Sequence, residues 1–372
     1  MSGIYVHIPF CSRRCNYCDF FFTTNTKLTD DFLISLDKEI QIHSASIPNR
    51  KFDTIFFGGG TPSILTGNQL LGIINRLRET FDITEDAEIS LEANPEDLTN
   101  EKIRELYSAG VNRLSIGVQS FIDSELQFLT RHHTSSIAGD VVKNSLDVID
   151  NVSIDIIYSL PSQRAEDIIV SIDKAKVMGV KHISAYTLTY EDKTLLTKSA
   201  NEGKIIRNTP EHEATLYETV SKEIISRGFR QYEVSNFAIP GYESRHNKKY
   251  WKLLPYLGLG PSAHSFIGNR RWNNLKSVGK YCELVNSHKL PIENDYELNE
   301  QQLQSDFIML ALRAEGINFT EYKKRFGKSF EVDNKRAIGE LVQNGFTELN
   351  NESFRLSTKG YAVADEIIAR YF

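Results

Sequence analysis

The sequence predicts an α/β protein: a partial (β/α)6 barrel followed by a mostly helical, winged-helix-like C-terminal domain. Three observations predict it. Short apolar runs recur roughly every thirty residues over the first two-thirds of the chain. Amphipathic helical patterns separate them. From about residue 300 the pattern changes to helices followed by a hairpin.

The strand-like runs are GIYVHIP at 3–9, TIFFGG at 54–59, AEISLEA at 87–93, RLSIGVQ at 113–119, VSIDIIY at 152–158 and HISAYTL at 182–188. Several are nearly continuous apolar stretches, as expected of strands covered on both faces. Between them TDDFLISLDKEIQIHS, TGNQLLGIINRLRETF and TNEKIRELYSAG read as helices, the last closing on Gly110 as a C-cap. Alternating strands and helices call for parallel pairing through crossover helices. From about 200 the alternation fades. In the tail, QQLQSDFIMLALRAEGI reads as a helix ending on Gly316, and FTEYKKRFG and KRAIGELVQNGF as two more. TELNNESFRLS is a hairpin with an Asn-Asn turn, and TKGYAVADEIIARYF a closing helix. The expected division is a core barrel at 1–230, a connecting region at 231–299 and the C-terminal domain at 300–372.

The chain holds 372 residues, of which 40% are hydrophobic and 25% charged, the balance of a globular protein with a sizeable core. Its net charge of -6, with both signs interspersed, argues against nucleic acid as the main partner, in the winged domain as well. No apolar run approaches a membrane span. The start MSGIYVHIPFCSRRC lacks the basic segment and long apolar stretch of a signal peptide. The cytoplasm is the expected compartment, and thiols stay reduced there.

Three of the 4 cysteines, Cys11, Cys15 and Cys18, lie within CSRRCNYC, while Cys282 is remote. An odd cluster in a reducing compartment argues against disulfides. A structural zinc site takes four protein ligands; no second Cys pair exists, although His7 offers another donor. Three thiolates also suit an iron–sulfur cubane whose fourth iron is left open. That reading accounts best for three thiols without a fourth.

Barrel chemistry gathers at the C-terminal ends of strands. In this chain those ends read as the cysteine loop, GGGTPS, EANPE, GVQSF, Asp155 with YSLP, and AYTLTYE. Each alone is compatible with an ordinary turn or a satisfied edge residue, but their recurrence at one edge marks a site. The three glycines of GGGTPS let backbone groups approach a ligand closely. Further on, HNKKYWKLLPYLGLGPSAHSF spans 246–266. A histidine there is usually a hydrogen-bonded structural group and an aromatic usually core. Alternatively His246, Tyr250, Trp251 and His264 together line a flat apolar ligand, since imidazole is a common axial ligand of haem iron.

The C-x-x-x-C-x-x-C triplet resembles that of the radical S-adenosylmethionine (SAM) family. YVHIPFC, FFGGGTPS, ISLEANPE, RLSIGVQSF, IDIIYSLP and the tail extend the resemblance over the whole chain, to the oxygen-independent coproporphyrinogen III oxidase group. The resemblance implies a partial β/α barrel with a [4Fe–4S] cluster on Cys11, Cys15 and Cys18. It implies that Tyr5, Gly59 and Glu92 contact SAM on the open iron. Tyr17, Gly60, Thr61, Gln119, Arg131 and Asp155 match positions that hold a second SAM in the catalytic oxidases, and Thr187 aligns with a further contact. Two departures set the chain apart: Phe20 replaces an additional Cys of the oxidases, and their N-terminal extension is missing. HNKKYW matches the H-N-x-x-Y-W signature of the HemW branch, whose members are haem chaperones. That match implies haem as a ligand, His246 as its contact and respiratory-type haemoproteins as clients. It leaves room for a homodimer and a peripheral membrane contact. The rival reading is a coproporphyrinogen III oxidase of porphyrin biosynthesis.

Overall fold

The computed structural model describes residues 1–47 and 50–372. Six parallel strands form its centre: β1 (Ser2–Ile8), β2 (Lys51–Gly59), β3 (Asp82–Ala93), β4 (Arg113–Gln119), β5 (Asn151–Tyr158) and β6 (His182–Thr187). The crossovers are α1 (Thr29–Ser46), α2 (Gly67–Thr80), α3 (Asn100–Ser108), the pair α4 (Asp123–Phe128) and α5 (Ser135–Leu146), and α6 (Ala165–Met178). Their starts are written in the sequence: Thr66 and Gln69 form a reciprocal capping box on α2, and the Thr99 side chain caps α3 at Lys102 N.

Strand alternation then sorts the side chains. Register aligns Ile4 with Ile55, Ile55 with Ile89, and Leu114 with Val152, so these apolar residues meet the helices as one layer. Ile4, Ile55, Leu114 and Val152 are completely buried. Each contributes about 1.5–3 kcal/mol of burial. The same alternation turns Tyr5, Glu92, Ser115 and Asp155 to the barrel interior, with Glu92 paired to Ser115 and Asp155 to Ser184.

Residues 231–299, where no alternation was expected, extend this sheet at both edges. After α7 (Leu195–Asn201) and α8 (Pro210–Ser226), β7 (Arg230–Gln231) and β8 (Asn236–Ala238) join antiparallel beyond β6. The chain crosses through α9 (Arg245–Trp251), and β9 (Tyr256–Leu259) adds parallel to β1. β10 (His264–Ile267), β11 (Arg270–Asn274) and, after α10 (Val278–Asn286), β12 (Ile292–Glu297) complete the sheet of 12 strands. Among the described residues its two ends do not pair with each other, so the barrel is partial. Glu39 of α1 fastens this extension: its buried carboxylate accepts from Gly260 N at 2.7 Å, Asn274 Nδ2 at 2.6 Å and Tyr281 Oη at 2.7 Å. Burial raises that carboxyl to about 7, against the three hydrogen bonds that lower it.

The tail folds around its own core of Leu312, Tyr322, Phe330, Leu341, Phe354 and Leu356. It comprises α11 (Glu300–Leu312), β13 (Ile317–Asn318), α12 (Phe319–Phe326), α13 (Phe330–Asp333), α14 (Lys335–Gln343) and the hairpin β14 (Thr347–Leu349) and β15 (Ser353–Leu356). The expected closing helix is instead two, α15 (Thr358–Tyr361) and α16 (Ala364–Tyr371). They part at Val363, whose φ of -131° leaves the helical range and lets Ala364 and Ile367 turn into the small core. The tail docks on the sheet extension. Arg325 donates to the Lys252 and Leu253 carbonyls at 3.2 and 3.0 Å, and Phe266 of β10 packs into the tail's core. Among the described residues no helix is long and apolar enough to cross a membrane.

Candidate functional site

The cysteine loop leaves β1 at Pro9 and returns through Thr23. Backbone bonds from Cys11 N to Thr23 O (3.0 Å) and from Thr23 N to Pro9 O (2.6 Å) pin its two ends together. The tip is tied to two later helices: Asn16 Nδ2 donates to Phe128 O of α4 at 2.8 Å, and Leu196 N of α7 to Asn16 O at 2.9 Å. Chemistry-bearing residues from distant parts of the chain thereby meet at one edge of the sheet.

That edge encloses a cavity of about 390 Å³. Cys11, Cys15, Cys18, Tyr17, Gly59, Gly60, Thr61, Glu92, Gln119, Arg131, Asp155 and Thr187 all line it. Tyr5 and His246 do not. The Thr61 hydroxyl donates to Cys11 Sγ at 3.3 Å, and Arg131 Nη1 approaches Cys15 Sγ at 3.7 Å. Burial pushes the Cys11 thiol up to about 11, only partly offset by Thr61, and burial also raises Cys18. Binding iron therefore has to displace protons here.

Glu92 accepts from Gly59 N at 3.2 Å, and burial followed by the Asp155 charge raises it to about 7. Asp155 is likewise raised by burial, against hydrogen bonds from Ser184 and Ser115. Asn94 and Glu96 belong to the same wall, with His133 buried behind Glu96, although their motif and neighbours pointed only to Glu92 and Arg131. Asn94 Nδ2 donates to Thr61 Oγ1 at 3.2 Å, and its Oδ1 accepts from Arg131 Nη2 at 2.6 Å. Gln119 holds φ at 67° at the end of β4, an uncommon conformation for a non-glycine residue. A Cβ at Gly117 would meet its Nε2 at 2.7 Å, so that glycine makes the room Gln119 occupies.

The glycines of GGGTPS also serve a purpose nearer home than ligand approach. A Cβ on Gly59 would meet the His7 ring at 2.5 Å, and one on Gly60 the Phe10 carbonyl at 2.6 Å. Gly59, at φ +108°, also needs the left-handed freedom of glycine. The absent side chains let the start of the cysteine loop lie against β2, with Gly60 N bonded to Ile8 O at 2.8 Å.

Tyr5 lines an adjoining cavity of about 240 Å³, whose wall shares Glu92, Ser115, Asp155 and Tyr186 with the cysteine cavity, and its hydroxyl meets His7 Nδ1 at 3.1 Å. His246 lines that same interior cavity. Its ring is buried and both nitrogens are engaged, Nδ1 with Thr54 Oγ1 and Nε2 with Tyr250 Oη, each at 2.8 Å. The anticipated cluster with Trp251 and His264 does not assemble. The helical turn of α9 sends His246 and Tyr250 inward and Trp251 to the cleft with the C-terminal domain, while His264 is exposed on β10. Haem iron has no free imidazole nitrogen at His246 in this arrangement.

The cysteine cavity does fit a cluster with a zwitterionic ligand. Three thiols share one loop, carboxyls stand at Glu92 and Asp155, and a guanidinium at Arg131. Among the described residues no three His, Cys, Asp or Glu side chains converge on one metal ion, as a zinc site requires. A cubane does not require it, because each thiolate takes a different iron.

The Radical SAM superfamily model matches residues 5–175, and the HemN C-terminal domain model residues 298–363. The chain is 31% identical to "Heme chaperone HemW" of Bacillus subtilis, over 100% of this chain and 99% of the relative. It is 33% identical to the protein of that name from Mycobacterium tuberculosis, over 98% and 93%. It is 30% identical to the mitochondrial "Radical S-adenosyl methionine domain-containing protein 1" of Bos taurus, over 99% and 86%. Its fold is that of coproporphyrinogen III oxidase (HemN) from Escherichia coli, with a TM-score of 0.85 at 21% identity, covering 99% of this chain and 89% of that one. The chain therefore belongs to the radical SAM superfamily and, within it, to the family of the HemW heme chaperones.

Proposed function

We propose that this protein is a haem chaperone: it binds haem and delivers it to client haemoproteins of the respiratory type, and holds a [4Fe–4S] cluster and SAM in the cysteine cavity. The observation that carries the reading is similarity to HemW heme chaperones along essentially the full length of both chains. Cys11, Cys15 and Cys18 would hold the cluster. Tyr5, Glu92 and the Gly59 backbone would contact the SAM on the open iron, and Arg131, at a position matched to a second SAM in the catalytic oxidases, would offer its guanidinium to a SAM carboxylate in the same cavity. Tyr17, Gly60, Thr61, Gln119, Asp155 and Thr187 would complete the wall of the same cavity. When bound, the cluster supplies an open iron and an electron to SAM. Its role here would be regulatory, in dimerisation or haem release.

One feature separates this reading from catalysis, and a second bears on where haem would sit. Phe20 stands where the resemblance places an additional oxidase cysteine, and it is 68% exposed at the cavity rim. The interior cavity with His246 is walled by Arg113, Glu92 and Asp155, unlike the flat apolar slot that haem needs. We therefore place haem outside the barrel interior, on a protein working in the cytoplasm. The rival is a coproporphyrinogen III oxidase, which the shared fold and SAM-site residues would serve equally. An anaerobic assay of cluster-loaded protein with SAM, reductant and coproporphyrinogen III separates them. The expected result is brown, SAM-binding protein that forms no protoporphyrinogen; its formation over many turnovers would make the chain an oxidase.

A further inference from the structure

Arg131 lines the cysteine cavity, as does Arg13, and the surroundings of Arg131 are built in two layers. Its Nη2 donates to Asn94 Oδ1 at 2.6 Å and to the Gly117 carbonyl at 3.0 Å, which fixes the guanidinium plane. Its Nε has no partner, so one donor remains for a ligand. Behind it stands Glu96, whose Oε2 lies 3.8 Å from Arg131 Nη2. Left alone, that carboxylate would close on the guanidinium and cancel its charge.

His133 prevents the closure. The same Glu96 oxygen lies nearer to His133 Nδ1, at 3.1 Å, while His133 Nε2 faces the Val118 carbonyl at 3.0 Å. The side chain is completely buried, so water satisfies neither nitrogen. A backbone carbonyl only accepts, and so does an ionised carboxylate. Each ring nitrogen must then carry a proton. Burial acts to raise Glu96, but the His133 hydrogen bond and the Arg131 charge outweigh it and bring the carboxyl down to about 2. The other ionisable groups near this pair are Asp97, beside Glu96 and Arg131, and Asp123, beside His133 and Lys174.

We infer that His133, doubly protonated, holds Glu96 away from Arg131 and so leaves the Arg131 charge uncompensated for the carboxylate of SAM. His133 is a positioning residue that acts through two others. The inference rests on the assignment of Arg131 to SAM.

The test is a mutant cycle on the cluster-loaded full chain, read as SAM affinity by equilibrium dialysis with iron content as control. His133→Ala is expected to weaken SAM by about tenfold without loss of iron. Adding Glu96→Gln to it should restore affinity to near wild type, because the carboxylate that collapses onto Arg131 is gone. A merely structural histidine would not be rescued in this way. His133→Gln, which fills the space without the charge, should behave like His133→Ala. Imidazole ¹⁵N spectra at neutral pH should show both His133 nitrogens protonated. Unchanged affinity in His133→Ala, a double variant as weak as the single, or a neutral His133 ring would overturn the inference. Arg131→Ala identifies which idea failed: if it leaves SAM affinity intact, the assignment of Arg131 is wrong rather than the role of His133.

Discussion

Cys15→Ala is expected to strip the protein of its cluster: iron retained after desalting should fall by on the order of tenfold or more, with the brown colour. Three thiols hold three of the four irons, so removing one leaves a cubane with two open corners instead of one. SAM binding should fall with it, because the open iron is half of that site. The fold should survive. Cys15 is half-buried on a loop whose ends are fastened by Cys11 N to Thr23 O and Thr23 N to Pro9 O, bonds that the change does not touch. Iron, labile sulfide and visible absorbance, measured beside circular dichroism, check both halves. Wild-type iron in Cys15→Ala would show that the ligand set is wrong.

His246→Ala is expected to damage the fold before it damages haem binding. The imidazole ties β2 to α9 through Thr54 and Tyr250, packs on Phe56 at 5.2 Å between ring centroids, and is held neutral by burial and the nearby Lys249 charge, which bring its pKa down to about 3. Removing it opens a cavity and strands the buried Thr54 hydroxyl and the half-buried Tyr250 hydroxyl, a cost of about 3 kcal/mol or more. The stability it supplies has a pH window. A folded-state pKa near 3, below the ordinary 6.5, means that the unfolded chain takes up the proton first. The contribution is complete above about pH 6.5 and fades as pH falls toward 3. Denaturation of wild type and His246→Ala at pH 7.5 and 4.5 should show a smaller difference between them at the lower pH. Haem affinity per folded molecule should not change; a folded His246→Ala that loses haem would restore His246 as the ligand.

The central six strands were legible because each is an apolar run long enough to be unambiguous, with capping signals such as Thr66 and Thr99 between them. The cavity was legible for the same reason: parallel strands bring their C-terminal ends together, so Glu92, Gln119 and Asp155 could be placed by position alone. The strands of 231–299 were not, because β7 through β10 are only two to four residues long, so alternation has no room to show. His246 shows a different limit. Spacing in the sequence grouped it with Trp251 and His264, but α9 sends the first two to opposite sides and the third lies on a strand. His133 escaped notice because its partners, Glu96 and the Val118 carbonyl, are distant in sequence.

The haem-chaperone reading meets its most direct test in haem transfer. The protein, loaded anaerobically with one equivalent of haem and freed of excess, is mixed with the haem-free form of a b-type respiratory haemoprotein. Absorbance of both proteins is recorded after separation. The reading predicts stoichiometric haem on this chain, then its loss as the client gains the haem spectrum and activity, faster than the client gains them from free haem. Haem that fails to bind, or that stays on this chain while the client remains empty, would contradict it.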